Sequence, residues 1–454
     1  MIQHCNVMKK ILGYIVIIAL LLYIFFTHDI KNVIIIITFL AIIQICTYQM
    51  FSHKYNVTYG MSQIFYVFCF FFLGVAPLFQ YLNNIILWGG SSFNEVDYIK
   101  TNFLILLALL VYRIIYVDIF KKKYTIKPNL VLYKGIENEN REISSVVLLL
   151  ISIVASIYLF VLFNCDIRLL LNRSATSDLE FNTSSTISYL VNSFFIRSIP
   201  AICFLLFKFY KKKNLSIEIV LLLLMLLTSF PLGIPRFSVA ALYIPLVFVY
   251  VKSLRKEHNF VLLMIFAVII VFPLLNFVRN TSNENFISLE MFKSAHFDSY
   301  QMFMRVVSTD YVTYGYQLLG VLFFFVPRSI WPSKPIGSGY TIAHENNYFY
   351  DNLSMNFFGE GYINFGVIGV VLFALLLGYF NARMDRRYWI ENVDENHQFT
   401  LIYFVSIGME FILLRGALLN IFPVFVGYIL VIKLVSFMAS KPMLKIKNNI
   451  YGKG

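Results

Sequence analysis

Long unbroken runs of apolar side chains, each closed by a short polar cluster, follow one another from residue 11 to residue 437. The runs are apolar all round, so they lack the ~10-residue apolar-polar alternation of a membrane barrel strand. A hydrocarbon core of about 30 Å takes ~20 apolar residues in a helix. Runs near that length fall at 11–26, 33–51, 61–82, 101–120, 144–163, 187–207, 215–232, 237–251, 260–278, 363–381, 399–415 and 417–437. The pattern predicts an all-α, polytopic integral membrane protein with about twelve transmembrane helices. It divides the chain into residues 1–278 with nine spans and short loops, one long connection at 279–362, and residues 363–454 with three spans and a basic tail.

The polar punctuation sets the orientation. When the spans alternate, "KKKYTIKPNLVLYKG", "KFYKKKN", "KSLRKEHN", "ARMDRRYW" and the tail "KPMLKIKNN" fall on one side. The excess of Lys and Arg makes that side cytoplasmic, with both termini inside and 279–362 on the outer face of the membrane. That long connection is rich in Tyr, Phe and Trp, so it is expected to fold against the membrane rather than to stay disordered. Within it, 288–308 has near-helical apolar spacing, with Glu290, Lys293, Asp298 and Arg305 elsewhere around the wheel, which predicts an interfacial amphipathic helix. Residues 318–326, "LLGVLFFFV", are too few to span and predict a dipping or surface-lying element. A second outer loop, 164–186, carries Arg168 and Arg173, and no internal repeat is visible.

Composition agrees. The 454 residues are 59% hydrophobic and only 13% charged, with 47 Phe, which excludes a water-soluble fold of this size. The net charge of +13 then reads as a topology signal, not as a nucleic-acid footprint. The amino end has the charge pattern of a signal sequence without a small-residue cleavage site, so it is expected to remain as the first helix. The scattered cysteines Cys5, Cys46, Cys69, Cys165 and Cys203 suggest neither a disulfide framework nor a metal cluster.

Chemistry is sought where charge is costly. An Arg at the bilayer centre costs at least about 2.5 kcal/mol and normally faces a cavity or a partner. Arg197 lies inside the sixth span, Arg236 follows the break "SFPLGIP", Arg279 lies just beyond the ninth span, Arg328 follows Pro327, and Arg415 ends the eleventh. All five fall toward the outer leaflet, where the plainer reading is snorkelling to headgroups. For Arg236 and Arg328 the proline breaks favour a diphosphate clamp, since guanidinium meets phosphate oxygens bidentately and stays charged. Acids and one imidazole could supply a base for a hydroxyl nucleophile. These are His344, Glu345, Asp351 and Glu360, with solvated loop charge as the alternative for Glu345 and Asp351. Glu410, mid-span, is expected to pair structurally with Arg415 or Arg197.

"PRSIWPSKPIGSG" followed by "FFGEGYINFGVIGVVLFALLLGYF" resembles the oligosaccharide repeat-unit polymerases of O-antigen and capsule pathways, the Wzy type. These are polytopic inner-membrane proteins with a large outer loop before their last few helices. The family's motif of Arg, ten residues and Gly is matched by Arg328 and Gly339. The resemblance implies a glycosyltransferase of the bacterial cytoplasmic membrane. Its donor would be a growing glycan on undecaprenyl diphosphate, and its acceptor a single repeat unit on a second such lipid. Glu360 and His344 would be catalytic, and Arg236, Arg328, Arg279, Arg415, Arg197 and Gly339 would bind the diphosphate and glycan. It implies no cofactor and no metal, with membrane lipid and a chain-length regulator protein as partners. An O-antigen ligase would use the same donor. A metal-dependent lipid-phosphosugar transferase would need paired carboxylates, for which Glu95 and Asp97 are the candidates. A flippase for the same lipid should show two similar halves.

Overall fold

The computed structural model describes residues 32–51, 57–121, 143–172, 190–256, 258–271, 289–391 and 397–440, with scattered residues between 11 and 26. In chain order its helices are α1 (Val33–Met50), α2 (Met61–Leu82), α3 (Glu95–Lys121), α4 (Ser145–Leu162), α5 (Ile167–Leu171), α6 (Val191–Phe209), α7 (Leu215–Thr228), α8 (Arg236–Tyr250), α9 (Asn259–Ile270), α10 (Ser299–Ser308), α11 (Tyr316–Leu322), α12 (Ser338–Glu345), α13 (Phe357–Trp389), α14 (His397–Arg415) and α15 (Leu418–Ala439). Among the described residues no strand occurs. Eight helices, α1–α4, α6 and α13–α15, are long and apolar enough to cross a bilayer, and α7, α8 and α9 are shorter apolar helices.

Local chemistry sets where several of them start. The side chains of Asn32, Ser144, Asn214 and Asn356 each accept from an amide in the first turn that follows, satisfying donors a helix cannot pair internally. On α4 the apolar residues Val146, Leu150, Val154, Ile157 and Val161 form an exposed stripe at helical spacing, a face suited to lipid rather than to water.

The chain forms two compact units: Met1–Lys122, Tyr250–Glu391 and Ser406–Phe425 in the first, and Lys123–Val249, Asn392–Val405 and Val426–Gly454 in the second. Polar side chains join the helices of the first. Asn102 donates to Thr38 (2.8 Å) and accepts from the Tyr300 hydroxyl (2.8 Å), linking α3 to α1 and α10. Asp385 of α13 accepts from Tyr116 of α3 (2.8 Å) and from the Met61 and Ser62 amides, so it caps α2. Arg386 beside it donates to the carbonyls of Ile119 and Phe120 at the end of α3. The "ARMDRRYW" stretch thus does more than signal topology: two of its charges are buried helix caps. Glu410 accepts from Asn381 (2.7 Å), while Arg415, an expected partner, pairs with Asp298 instead.

Two expectations for 279–362 are corrected. The helix read as interfacial and amphipathic, α10, is buried from Ser299 to Val307. Its polar residues face protein partners instead of water: Gln301 bonds Gln80 and the backbone of Ile85 and Leu87, and Arg305 bonds Ser91 and Tyr348. The helix expected from 363 is also not one continuous element. Helix α13 starts at Phe357 and breaks at Phe365–Gly366, where Gly366 takes φ 61°. Beyond the break the chain doubles back. A Cβ on Gly361 would lie 2.6 Å from the Gly369 carbonyl oxygen, and one on Gly369 would overlap the Gly361 carbonyl. The glycines of "GEGYINFGVIG" therefore serve a backbone-on-backbone crossing of two helical arms. Carbonyls freed by the break are satisfied from outside, Ile363 by the Thr313 amide (2.6 Å) and Asn364 by the Gly315 amide (2.9 Å).

Candidate functional site

The segment from α11 to the start of α13 builds the site, all of it in the first unit. After α11 the chain turns at Pro327 into a loop held by its own cations. Arg328 donates to the carbonyls of Lys334 (2.6 Å) and Pro335 (2.9 Å), and the Lys334 ammonium donates back to those of Phe324 (2.6 Å) and Val326 (3.0 Å). Burial, and secondarily Arg328, hold the Lys334 amine below its ordinary pKa. Arg328 itself is exposed, with both terminal nitrogens of its guanidinium engaged by these carbonyls. Leu319, Leu322, Phe323, Phe325 and Ile330 are also exposed, giving this element an apolar outer surface.

The chain then reaches Gly337, Ser338 and Gly339 at the head of α12. A Cβ on Gly339 would overlap the Leu353 carbonyl, so this glycine is spent on backbone packing rather than on ligand approach. Ser338 donates to Oε1 of Glu360, which also accepts from the Leu418 amide (2.8 Å). Glu360 thereby ties the first turns of α12, α13 and α15 together. It is 1% exposed, and its Oε2 has no hydrogen-bond partner among the described residues.

Outside this junction lies a pocket of about 270 Å³ lined by Ile336, Gly337, Tyr340, Asp351, Asn352, Leu353 and Asn420. It is just below the size range of small-ligand sites, with room for about one sugar ring. One carboxylate, two carboxamides and a phenol line it, a donor and acceptor set suited to a polyhydroxylated ligand. Asp351, not Glu360, is the acidic residue of its lining. His344 is exposed on α12 and stacks on Tyr340 (centroids 6.3 Å apart) rather than touching Glu360.

The other arginines are distributed. Arg415 pairs with Asp298 (3.2 Å), whose carboxylate also accepts from the Ser354 hydroxyl (2.6 Å). Arg197, in the second unit, is buried and donates to the carbonyls of Thr228 and Leu170 (2.7 Å each), capping the ends of α7 and α5. Arg236, also in the second unit, opens α8 and is half-buried. Arg279 and Arg173 lie outside the described residues. The structure thus gathers Arg328, Gly339, His344, Glu360 and Arg415 into one unit and holds Arg197 by helix ends. Ser338, Asp298, Ser354 and Asn420 were not singled out as site residues from sequence. A serine in a glycine-rich turn and an asparagine in an apolar helix carry no spacing signal, and Asp298 resembled one polar position on an amphipathic wheel.

Among the described residues no group of three or more His, Cys, Asp or Glu side chains is arranged to hold a metal ion. No family model, curated protein or solved structure matches the chain.

Proposed function

We propose that this protein is a polymerase that joins undecaprenyl-diphosphate-linked oligosaccharide repeat units at the outer face of the bacterial cytoplasmic membrane. In this reading the chain crosses the bilayer about twelve times, both termini are cytoplasmic, and 279–362 is the large outer loop. The observation that carries it is one continuous segment, 316–352, joining an exposed apolar element, two cations and a polyol-type pocket. A lipid-linked sugar has those three parts in that order: polyprenyl chain, diphosphate, glycan.

The chemistry follows. The acceptor's sugar hydroxyl attacks the donor's anomeric carbon, its proton passes to a carboxylate, and the bond to the diphosphate oxygen breaks with the electron pair leaving on undecaprenyl diphosphate. Arg328 and Lys334 offset the charge that develops on that leaving group. Asp351 is the carboxylate a sugar in the pocket would meet, while Glu360 fixes the pocket wall through Ser338 and Leu418.

The test is the surface polysaccharide of a deletion strain carrying the gene back as wild type, Arg328→Ala or Asp351→Asn. Wild type should restore a long-chain ladder, and each variant should leave glycan of a single repeat unit. Full ladders from both variants would refute the reading. Loss of even the single unit from the surface of the deletion strain would make the protein a flippase, and unattached but long glycan would make it a ligase.

A further inference from the structure

Beside the pocket the surface carries a second built feature. In the connection between α2 and α3, Trp88 and Gly89 adopt left-handed backbone (φ 63° and 72°), and the turn lays the indole on the Tyr350 ring, centroids 5.3 Å apart and 21° from parallel. Phe349 completes the group, its ring 5.9 Å from that of Trp88. The turn is pinned from beneath. Arg305 of α10 donates to both oxygens of Ser91 and to the Tyr348 hydroxyl (2.8 Å), and its guanidinium lies 4.1 Å from the Phe93 ring centroid. The platform is therefore held before any ligand arrives, yet Phe349 is 78% and Tyr350 45% exposed. Tyr350 directly precedes Asp351 of the pocket wall.

We propose that Trp88, Phe349 and Tyr350 form a second glycan subsite, which holds the part of the saccharide next to the sugar in the pocket. The proposal rests on the polymerase reading above. A pyranose offers an apolar C–H face and a rim of hydroxyls; flat aromatic rings take the face, and carboxylates and amides take the rim. The competing occupant is the lipid interface, where aromatic rings also collect. The surroundings argue against it. Glu345, Asn347, Asp351 and Asn352, all exposed, lie in sequence around these rings, and sinking carboxylates among lipid would desolvate them. The apolar element of Leu319, Leu322, Phe323 and Phe325 has no acid among its residues, so the lipid-type and glycan-type surfaces differ in kind.

The experiment titrates detergent-purified full-length protein with repeat-unit oligosaccharide released from the host's surface polysaccharide by mild acid, followed by calorimetry. Wild type should bind, and Phe349→Ala/Tyr350→Ala should raise Kd by about tenfold, the loss of one to two aromatic contacts. Both residues are exposed, and an unchanged melting temperature verifies the fold. In cells the double variant should shorten the ladder. Wild-type binding and ladder matched by the double variant would overturn the subsite while leaving the polymerase reading intact. A variant that keeps Kd but loses stability only in lipid nanodiscs would assign the rings to the membrane and also overturn the subsite. A wild-type protein that neither binds saccharide nor restores a ladder would overturn the polymerase reading and the subsite together.

Discussion

Replacing Arg415 by Met separates an arginine that snorkels from one that holds the fold. Its guanidinium lies 3.2 Å from Asp298, whose side chain is 2% exposed, while Arg415 keeps 24% exposure. Removing one member of a buried pair costs about 3–5 kcal/mol, because the other charge is left without compensation. Here Ser354 still donates to Asp298 from its hydroxyl and its amide, and Arg415 is partly solvated, so about 2 kcal/mol is the reasonable loss. That corresponds to a fall in Tm of roughly 2 °C for a chain of this size. Adding Asp298→Asn removes the stranded charge yet keeps an acceptor for Ser354. The double variant should therefore be more stable than Arg415→Met alone, and a double-mutant cycle in detergent, followed by tryptophan fluorescence, reads this directly. Should Arg415→Met stay within about 0.5 kcal/mol of wild type, or should Asp298→Asn make it worse, the pair contributes nothing and the headgroup reading of Arg415 stands.

Gly369→Ala should cost more than about 4 kcal/mol, because its methyl would overlap the Gly361 carbonyl and neither partner is a flexible side chain; a variant that purifies with unchanged Tm would refute the crossing of the two arms of α13. Glu360→Ala leaves the Ser338 hydroxyl and the Leu418 amide without their acceptor and should cost about 3 kcal/mol, whereas Glu360→Gln keeps a carbonyl there and should retain both fold and ladder. A folded Glu360→Gln protein without a ladder would return Glu360 to proton chemistry.

Length and polarity made most of the described helices legible, with starts matched to within a residue or two where a capping side chain sits at the head of the apolar run, whereas α3 begins six residues before its predicted span and α13 extends past both ends of its own. Asn214 before α7 is one such cap. What the pattern could not reveal is which polar residues face inward. A linear reading assigns Asp298 and Arg305 to a wet face, since a wheel shows only their own helix; α10 is enclosed, and Ser354, Arg415, Ser91 and Tyr348 come from segments far along the chain. The same holds for Glu360. Its place among candidate bases gave no sign of burial, but Gly361 is required by the returning arm of α13, and the acid is enclosed with it. Arg328 could be flagged from the proline before it, although its bonds to the carbonyls of Lys334 and Pro335 depend on a turn no spacing rule describes.

The break at Phe365–Gly366 has a mechanical consequence. The arm before it is fastened to residues 313–318 by the Thr313 and Gly315 amides and by Asn364, which accepts from the Leu318 amide at 2.8 Å. Leu319 and Leu322, one turn further on, belong to the exposed apolar surface. That arm also carries Glu360, and through Ser338 it positions the floor of the cavity. A displacement of the greasy element would thus be felt at the α12–α13 junction through these bonds, and under the proposed function this would couple the seating of the carrier's tail to the shape offered to its sugar.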